Sequence, residues 1–308
     1  MTAVIRTNSL SRWYGNVLGL NDVSLDIEPG ITGLLGPNGA GKSTFMKLVT
    51  GQMKPSSGRA SVFGERVWNN PPIFRRIGFC PEQDAFHEGL TGWEFVKGLL
   101  DLQGFSSREA ADRATRALEF VEMMSDKDRR IRSYSRGMRQ RVKIAQSLAH
   151  DPDLLILDEP LNGLDPLGKR KIIRLIKDFP KAGRTVLVSS HVLPEIEAMT
   201  SRIVLIHQGR ILAEGDIHYI RDLIEAHPHV ISVECSDPRR LAGILVREVD
   251  ITRLQFGTDG RTVVFETHAR DKVFSRLPRL FVENGIAVES ITSPDDNLQS
   301  VFDYLVGK

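Results

Sequence analysis

The chain has 308 residues, which is enough for one large domain or two of ordinary size, each with its own hydrophobic core. Its 41 basic and 39 acidic residues leave a formal net charge of +2, so no overall electrostatic field favours nucleic acid or anionic lipid as a partner. The two cysteines lie far apart without histidines at metal-ligand spacing, and no apolar run suits a signal peptide or approaches the roughly 20 residues of a membrane-spanning helix. We therefore expect a cytoplasmic protein with no disulfide framework, no zinc site and no direct membrane span.

Residues 1–216 alternate short apolar runs with helical patterns, which is typical of an α/β domain with a largely parallel sheet. Continuous apolar runs, typical of strands buried on both faces, occur at 31–36, 153–158, 185–190 and 202–209. From about 85 to 150 a helical period dominates. This stretch is predicted to form a helical subdomain inserted into the sheet domain.

Residues 217–308 are predicted to form a second, small α+β domain. We expect helices at 217–226, from Asp237, from Asp271 and at 297–305, and strands at 229–235, 249–256, 262–267 and 286–292. Asp259-Gly260 is the strongest hairpin signal in the chain. The order βαββαβ predicts a ferredoxin-like fold, although Pro278 weakens the helix predicted from Asp271.

The stretch GPNGAGKST matches the P-loop pattern G-x-x-x-x-G-K-[ST] and lies between an apolar strand and a helical run. Main-chain N–H groups in such a loop converge on phosphate oxygens, while the lysine adds charge at the β and γ phosphates and the serine offers its hydroxyl to Mg²⁺. We therefore expect a nucleotide with β and γ phosphates, together with Mg²⁺, as ligands. The residues concerned are Gly36, Pro37, Asn38, Gly39, Ala40, Gly41, Lys42, Ser43 and Thr44.

Two further apolar strands end in polar residues. Asp158 and Glu159 follow the strand at 153–158, and they suit Mg²⁺ binding through water and orientation of an attacking water. An acidic residue at a strand end is more often a helix cap, but downstream of a P-loop the pair indicates catalysis. His191 follows the strand at 185–190. Because parallel strands deliver their carboxyl ends to one edge, we expect His191 near the phosphates and not simply as a cap or core residue.

These motifs occur in order around the segments YSRGMRQR (134–141) and LNGLDP (161–166), and over about residues 3–215 the set closely resembles the ATP-binding-cassette ATPases. The resemblance is to exporter-type ABC transporter ATP-binding proteins. It implies an ATPase that converts ATP and water to ADP and phosphate. It also implies a second ATPase subunit, as a homodimer, and a separate membrane permease of about six helices per subunit. The chain would then be a peripheral protein on the cytoplasmic face of the cell membrane.

The resemblance also implies roles for residues outside the P-loop. Ser135 and Gly137 fall on signature positions that bind the γ-phosphate of ATP held by a second subunit, while Arg136 departs from the usual glycine. Tyr14 falls on the aromatic position that stacks on adenine, with Trp13 as the alternative.

Further roles follow from the same resemblance. Asp165 lies on the loop that communicates between the two ATP sites. Glu159 is the general base, and His191 together with Lys42 holds the γ-phosphate.

One loop departs from the family pattern, which usually has V-P-Q. In GFCPEQDAF, Glu82 takes the glutamine position by spacing, and Gln83 lies one residue later. Either side chain could reach Mg²⁺ and the water, so both stay open at this stage.

The C-terminal part, 217–308, resembles the accessory or regulatory tail domain of exporter ATPases. The alternative function is a non-transport cassette ATPase acting on nucleic acid or ribosomes. Too few residues separate Glu82 from Ser135 for the coiled coil or zinc modules of DNA-repair relatives, and translation factors carry two cassettes in one chain. We therefore expect no nucleic-acid partner.

Overall fold

The computed structural model of the chain describes residues 3–216 and 229–293. The chain divides into two compact units, Met1–Asp216 and Ile217–Lys308. The strands of the first unit are β1 Ile5–Tyr14, β2 Val17–Ile27, β3 Ile31–Leu35, β4 Ser57–Val62, β5 Glu65–Arg66, β6 Ile77–Cys80, β7 Leu154–Leu157, β8 Thr185–Ser190, β9 Arg202–His207 and β10 Arg210–Asp216. Its α-helices are α1 Lys42–Val49, α2 Gly92–Leu102, α3 Ser107–Phe120, α4 Arg136–Leu148, α5 Pro166–Asp178 and α6 Leu193–Glu197.

The main sheet of this unit has six strands in the order β10-β9-β3-β8-β7-β6. All neighbouring pairs are parallel except β9 and β10, which form a hairpin. The four apolar runs recognised in the sequence are β3, β7, β8 and β9, and β7 and β8 are buried throughout. The predicted α/β fold with a largely parallel sheet is thus confirmed.

A second sheet of this unit, with the order β2-β1-β4-β5, was not predicted from the sequence. It is antiparallel, and β1 is polar along much of its length. Register shifts interrupt the pairing of β1 with β2, and Ser9 has a φ of 46°. Bulges of this kind break the strict alternation by which a half-buried strand is recognised. Side chains from both sheets and from α1, such as Ile5, Ile206 and Phe45, share one core.

The helical segment of this unit contains α2, α3 and α4, and caps define where its helices begin. Thr91 and Glu94 form a capping box at α2, with each side chain bonded to the main-chain N–H of the other residue. Because the N–H of Thr91 donates to its carboxylate, the pKa of Glu94 is lowered. Ser106 caps α3 and Ser135 caps α4 through their hydroxyl groups.

The second unit contains β11 His229–Cys235, α7 Pro238–Glu248, β12 Arg253–Phe256, β13 Thr262–Thr267, α8 Arg270–Glu283 and β14 Val288–Thr292. Its sheet has the order β12-β13-β11-β14 and is antiparallel throughout, which is the ferredoxin-like arrangement predicted from the order of elements. Apolar residues of β11 and β13 pack on α7 and α8 in a separate core.

Some boundaries in the second unit differ from the prediction. β12 begins at Arg253 and not at residue 249, because the residues directly after α7 are extended but the pairing with β13 covers only Arg253–Phe256. Pro278 lies inside α8 without ending it. β14 begins at Val288. The helices predicted at 217–226 and 297–305 lie outside the described residues.

Candidate active site

The candidate residues of the first unit meet at one edge of the six-stranded sheet. The parallel pairing of β3 with β8, of β7 with β8 and of β6 with β7 brings the carboxyl ends of four strands to this edge. The P-loop follows β3 and the Asp158-Glu159 pair follows β7. His191 follows β8, and the segment 81–88 follows β6. This is the edge at which open α/β sheets bind ligands.

The P-loop turns sharply between β3 and α1 and requires glycine at its two ends. A Cβ at Gly36 would lie 2.3 Å from the carbonyl oxygen of Ile206. Gly41 caps α1 with a φ of 108°, in the left-handed region that favours glycine. The first N–H groups of a helix have no partner within the helix, and the first turn of α1 contains no acidic residue. The loop therefore presents free N–H donors to an anion.

Lys42, the first residue of α1, is buried and its ammonium group lies among oxygen atoms. Its Nζ donates to the carbonyl oxygen of Gly36 at 2.6 Å and to that of Pro37 at 3.3 Å. Glu159 Oε1 lies 3.1 Å away as an ion-pair partner, in a geometry that is not that of a directed hydrogen bond. The lysine charge is thus held inside the P-loop and directly beside the carboxylate.

Glu159 lies at the centre of the candidate site. Its side chain is only 4% exposed, and its Oε2 lies 3.0 Å from Nδ1 of His191. Its main-chain N–H donates to the hydroxyl of Ser189 at 2.9 Å. Its φ of 48° lies in the left-handed region, which costs a glutamate energy and is typical of functional positions. The backbone therefore fixes the carboxylate between Lys42 and His191.

Asp158 is the second buried acid at this edge. Its main-chain N–H donates to the carbonyl oxygen of Cys80 at 2.9 Å, and its Oδ1 accepts from Ser189 at 2.7 Å. One serine hydroxyl thus orients both acids. Ser189 was not predicted from the sequence. The available signal was its position as a polar residue near the end of a buried strand, two residues before His191. Burial raises the pKa of the Cys80 thiol to about 12, so the thiol is neutral and adds no charge beside Asp158.

The donors expected for Mg²⁺ share one cleft. Ser43, Asp158, Glu82 and Gln83 all line a cavity of about 720 Å³. Among the described residues no group of three or more His, Cys, Asp or Glu side chains could hold a metal ion by itself. Mg²⁺ is usually held by one or two carboxylates together with water and phosphate oxygens, so this donor set fits Mg²⁺ bound to a nucleotide. Glu82 and Gln83 are both exposed, and the choice between them stays open.

Tyr14 lies at the end of β1, next to the P-loop. Its hydroxyl is 3.2 Å from Oγ1 of Thr44. Its ring covers Gly19, where a Cβ would lie 2.6 Å from the ring. The main-chain N–H of Trp13 donates to the hydroxyl of Ser56, and Trp13 is half exposed. Of the two candidate aromatic residues, Tyr14 is therefore the one that contacts a P-loop residue.

The signature residues form the start of α4 and do not join the cluster around Glu159. The Ser135 hydroxyl accepts from the N–H of Met138, and the first turn of α4 contains no acidic residue. A Cβ at Gly137 would lie 3.5 Å from Leu164. Within residues 3–216 no hydrogen bond or ion pair joins Ser135 or Gly137 to the P-loop. The N–H groups at the start of α4 that lack partners within the helix are therefore not bonded to the P-loop of the same chain.

Asp165 caps α5, where its Oδ1 accepts from the N–H of Gly168 at 2.6 Å. Further along α5, Lys169 donates to Glu195, whose other carboxylate oxygen accepts from the hydroxyl of Ser190. Ser190 directly precedes His191. A polar link that the sequence analysis missed therefore joins the helix behind Asp165 to the end of β8.

A P-loop at the edge of a parallel sheet, two acids after β7 and an interposed helical segment together define a P-loop nucleoside triphosphatase. Comparisons with known proteins narrow this class. A family model described as ABC transporter matches residues 20–162. The bacitracin transport ATP-binding protein BcrA of Bacillus licheniformis is 34% identical over 310 residues, which cover 100% of this chain and 98% of that protein. The chain therefore belongs to the ABC transporter family, in which it is an ATP-binding ATPase.

Two further similarities bear on the same family. The Nod factor export ATP-binding protein I of Cupriavidus metallidurans is 36% identical over 224 residues, which cover 72% of this chain and 74% of that protein. The dimeric structure of the cassette MJ0796 in a post-hydrolysis state with ADP and Pi has 26% identity and a TM-score of 0.64. The aligned region covers 69% of the present chain and 98% of the MJ0796 chain. Within residues 3–216 and 229–293, no helix has the length and apolar character needed to cross a membrane.

Proposed function

We propose that two copies of this chain enclose two ATP molecules and that their closing and opening drive export through a separate membrane permease. The observation that carries the proposal is the buried pair of Lys42 and Glu159 beside the P-loop, with the partly exposed His191 in contact with the glutamate. The names of these relatives support transport and export over the nucleic-acid alternative. The dimeric cassette with ADP and Pi supports a dimer. The chain would act as a peripheral subunit at the cytoplasmic face of the membrane.

The chemistry follows from the positions of the buried charges. The free N–H groups of the P-loop and Lys42 stabilise the negative charge on the γ-phosphate. Glu159 orients the attacking water and accepts its proton, while the water oxygen bonds to the γ-phosphorus and the bond to the bridging oxygen breaks. His191, which contacts Glu159, steadies the carboxylate and can donate to the γ-phosphate. The products are ADP and inorganic phosphate.

Ser43 and Asp158, with Glu82 or Gln83, would hold Mg²⁺, because they line the same cleft. When bound, the ion neutralises charge on the β and γ phosphates. The Ser189 hydroxyl keeps the Asp158 carboxylate aimed by donating to one of its oxygens.

Adenine would stack on Tyr14 and not on Trp13, because the Tyr14 hydroxyl contacts Thr44 of the P-loop. Ser135 and Gly137 would bind the γ-phosphate held by the other copy, since the start of α4 has free N–H groups and no acidic residue. Leu164 lies beside Gly137, and Asp165 is the next residue in the chain. Asp165 would then communicate between the two ATP sites.

One set of variants tests this function. In Glu159→Gln the base is lost but the phosphate contacts remain, so we expect no turnover and an ATP-dependent dimer detectable by size-exclusion chromatography with light scattering. Adding Ser135→Arg should abolish that dimer and leave ATP binding by the monomer within about twofold, because the signature acts on the other copy's nucleotide.

The matched control combines Glu159→Gln with Lys42→Ala, which should lose ATP binding itself. Normal hydrolysis by Glu159→Gln would refute the assignment of the base. Loss of ATP binding by the Ser135→Arg monomer would refute action on the second copy's nucleotide.

A further inference from the structure

Lys143 is a buried charge for which the mechanism above has no use. It lies on α4, two turns after the Ser135 cap, and its side chain is only 6% exposed. An ammonium group removed from water costs several kcal/mol unless partners compensate it. A methionine would fill similar space without that cost. The partners of Lys143 should therefore indicate what the charge achieves.

The partners of Lys143 all belong to the segment after β6. Its Nζ donates to the carbonyl oxygen of Glu82 at 2.6 Å and lies 3.1 Å from Oδ1 of Asp84. Arg139, one turn earlier on the same face of α4, lies 3.7 Å from Oδ2 of Asp84 and 2.9 Å from Glu88. Two cations of α4 thus hold the segment 82–88 through its acids and one carbonyl group.

Further along the chain, the end of α4 and the residues just after it contact β6 through neutral groups. Gln146 donates to the carbonyl oxygen of Phe79 at 2.9 Å, and Nε2 of His150, two residues beyond α4, lies 3.1 Å from the carbonyl oxygen of Ile77. One helix face therefore follows the strand and the segment beyond it, and the charged contacts are confined to that segment. Removing the charge of Lys143 should therefore release the segment 82–88 from α4, while β6 keeps its neutral contacts with the helix.

This connection joins two parts of the proposed site. Glu82 and Gln83 line the cleft that also contains Ser43, Asp158 and Lys143. The helix that holds them is capped by Ser135, which is proposed to contact the other copy's phosphate. We propose that Lys143 is a positioning residue which, with Asp84, fixes the Glu82-Gln83 segment to the signature helix, so that both reach their active positions together. The inference rests on the proposed function of this site.

Cys80 provides a native reporter for release of the segment. It is the last residue of β6, two positions before the segment, and it is fully buried. Cys235, the other cysteine of the chain, can be replaced by serine. In a Cys235→Ser background, Lys143→Met should raise the rate at which a thiol reagent labels Cys80 by about tenfold or more, because local opening exposes the thiol. The lost lysine charge alone would slow labelling, since Lys143 lowers the Cys80 pKa. A faster rate therefore reports exposure.

Variants of Asp84 separate the charge contact from packing. Asp84→Asn should also speed labelling; because Asp84 raises the Cys80 pKa, part of that gain comes from the lost charge, and Lys143→Met remains the variant that reports exposure alone. Asp84→Glu keeps the carboxylate and should behave like the unmodified protein. The double variant Lys143→Met with Asp84→Asn should add little to either single change, because both break one link. Lys97→Met, which removes an ion pair with Asp101 on α2, is the matched control and should leave the labelling rate unchanged.

The second measurement concerns hydrolysis by the full chain. Lys143→Met and Asp84→Asn should lower kcat by about tenfold to a hundredfold and raise the Mg²⁺ concentration for half-maximal activity, as expected when support of a metal site is lost. ATP affinity measured without Mg²⁺ should change by less than about twofold, since the P-loop is untouched.

Unchanged Cys80 labelling in both variants would overturn the inference, and so would faster labelling with unaltered kcat and Mg²⁺ dependence. A wild-type chain without ATPase activity would instead refute the proposed function. In that case the labelling rates would still decide whether Lys143 holds the segment.

Discussion

Lys42 and Glu159 are buried charges that depend on each other for stability. Each is less than a tenth exposed, and Nζ and Oε1 are 3.1 Å apart. Removing one partner of a buried ion pair leaves the other charge without compensation, which typically costs 3–5 kcal/mol. Without nucleotide, we expect Lys42→Met to lower the free energy of unfolding by about 3 kcal/mol, and Glu159→Gln in the same chain to restore most of it. Urea unfolding of the four proteins of this double-mutant cycle measures the coupling.

A suitable control is Lys47→Met, on the same helix, which should cost little in either background. If the effects of Lys42→Met and Glu159→Gln simply add, the two charges do not stabilise each other, and this interpretation of the pair is wrong.

Single residues also illustrate how far the sequence predicts the site. Lys42, Asp158 and His191 follow from local patterns, since each lies directly after a recognisable strand or glycine loop. Ser189 and Lys143 do not, because their significance lies in contacts with Glu159 and with Glu82, which are 30 and 61 positions away. The parallel register of β7 and β8 brings Ser189 to Glu159, and the packing of α4 beside β6 brings Lys143 to Glu82.

At the level of elements, α5 begins at Asp165, which has both a structural and a proposed functional role. Its carboxylate caps the helix through Gly168, and Pro166 occupies the first turn. Asp165→Ala should lower stability by about 1 kcal/mol, whereas Asp165→Asn keeps a capping oxygen and should cost much less. If Asp165 also communicates between ATP sites, Asp165→Asn should reduce the ATPase rate while the melting temperature hardly changes.

Thermal unfolding and steady-state ATPase rates of the same preparations separate the two roles. Ser106→Ala, which removes the cap of α3 far along the chain from the site, serves as the control for capping alone. If the Asp165→Asn protein kept its full ATPase rate, Asp165 would act only as a helix cap and not in communication between the ATP sites.

Elements were predictable where one physical signal dominated. The buried parallel strands β3, β7, β8 and β9 have continuous apolar runs, and α2 and α3 have a helical period, so these were recognised, whereas the four-residue β6 was not. The antiparallel sheet of β1, β2, β4 and β5 was missed because polar residues and bulges hide its alternation. β12 was predicted too long because the chain after α7 has an extended pattern that does not pair along its whole length.

On the scale of the whole molecule, each unit has its own core, and every proposed ATP-site residue belongs to Met1–Asp216. The second unit was predictable as a ferredoxin-like fold because its elements follow in the order that the hairpin and the two helices dictate. Its role was not predictable from the same pattern, since that fold carries no particular activity by itself.

Deleting residues 217–308 tests how the second unit contributes. The remaining chain keeps the P-loop, the acids of β7 and a complete core, so we expect ATP affinity measured by calorimetry to stay within about twofold. If the second units of two copies add contacts to the dimer, deletion in the Glu159→Gln background should weaken ATP-dependent dimerisation by about tenfold or more, because a second linked contact raises avidity. Equilibrium sedimentation across a concentration series measures this. Unchanged dimerisation and an unchanged ATPase rate would leave the second unit without a role in the ATPase cycle, and lost ATP binding would mean that the site depends on both units.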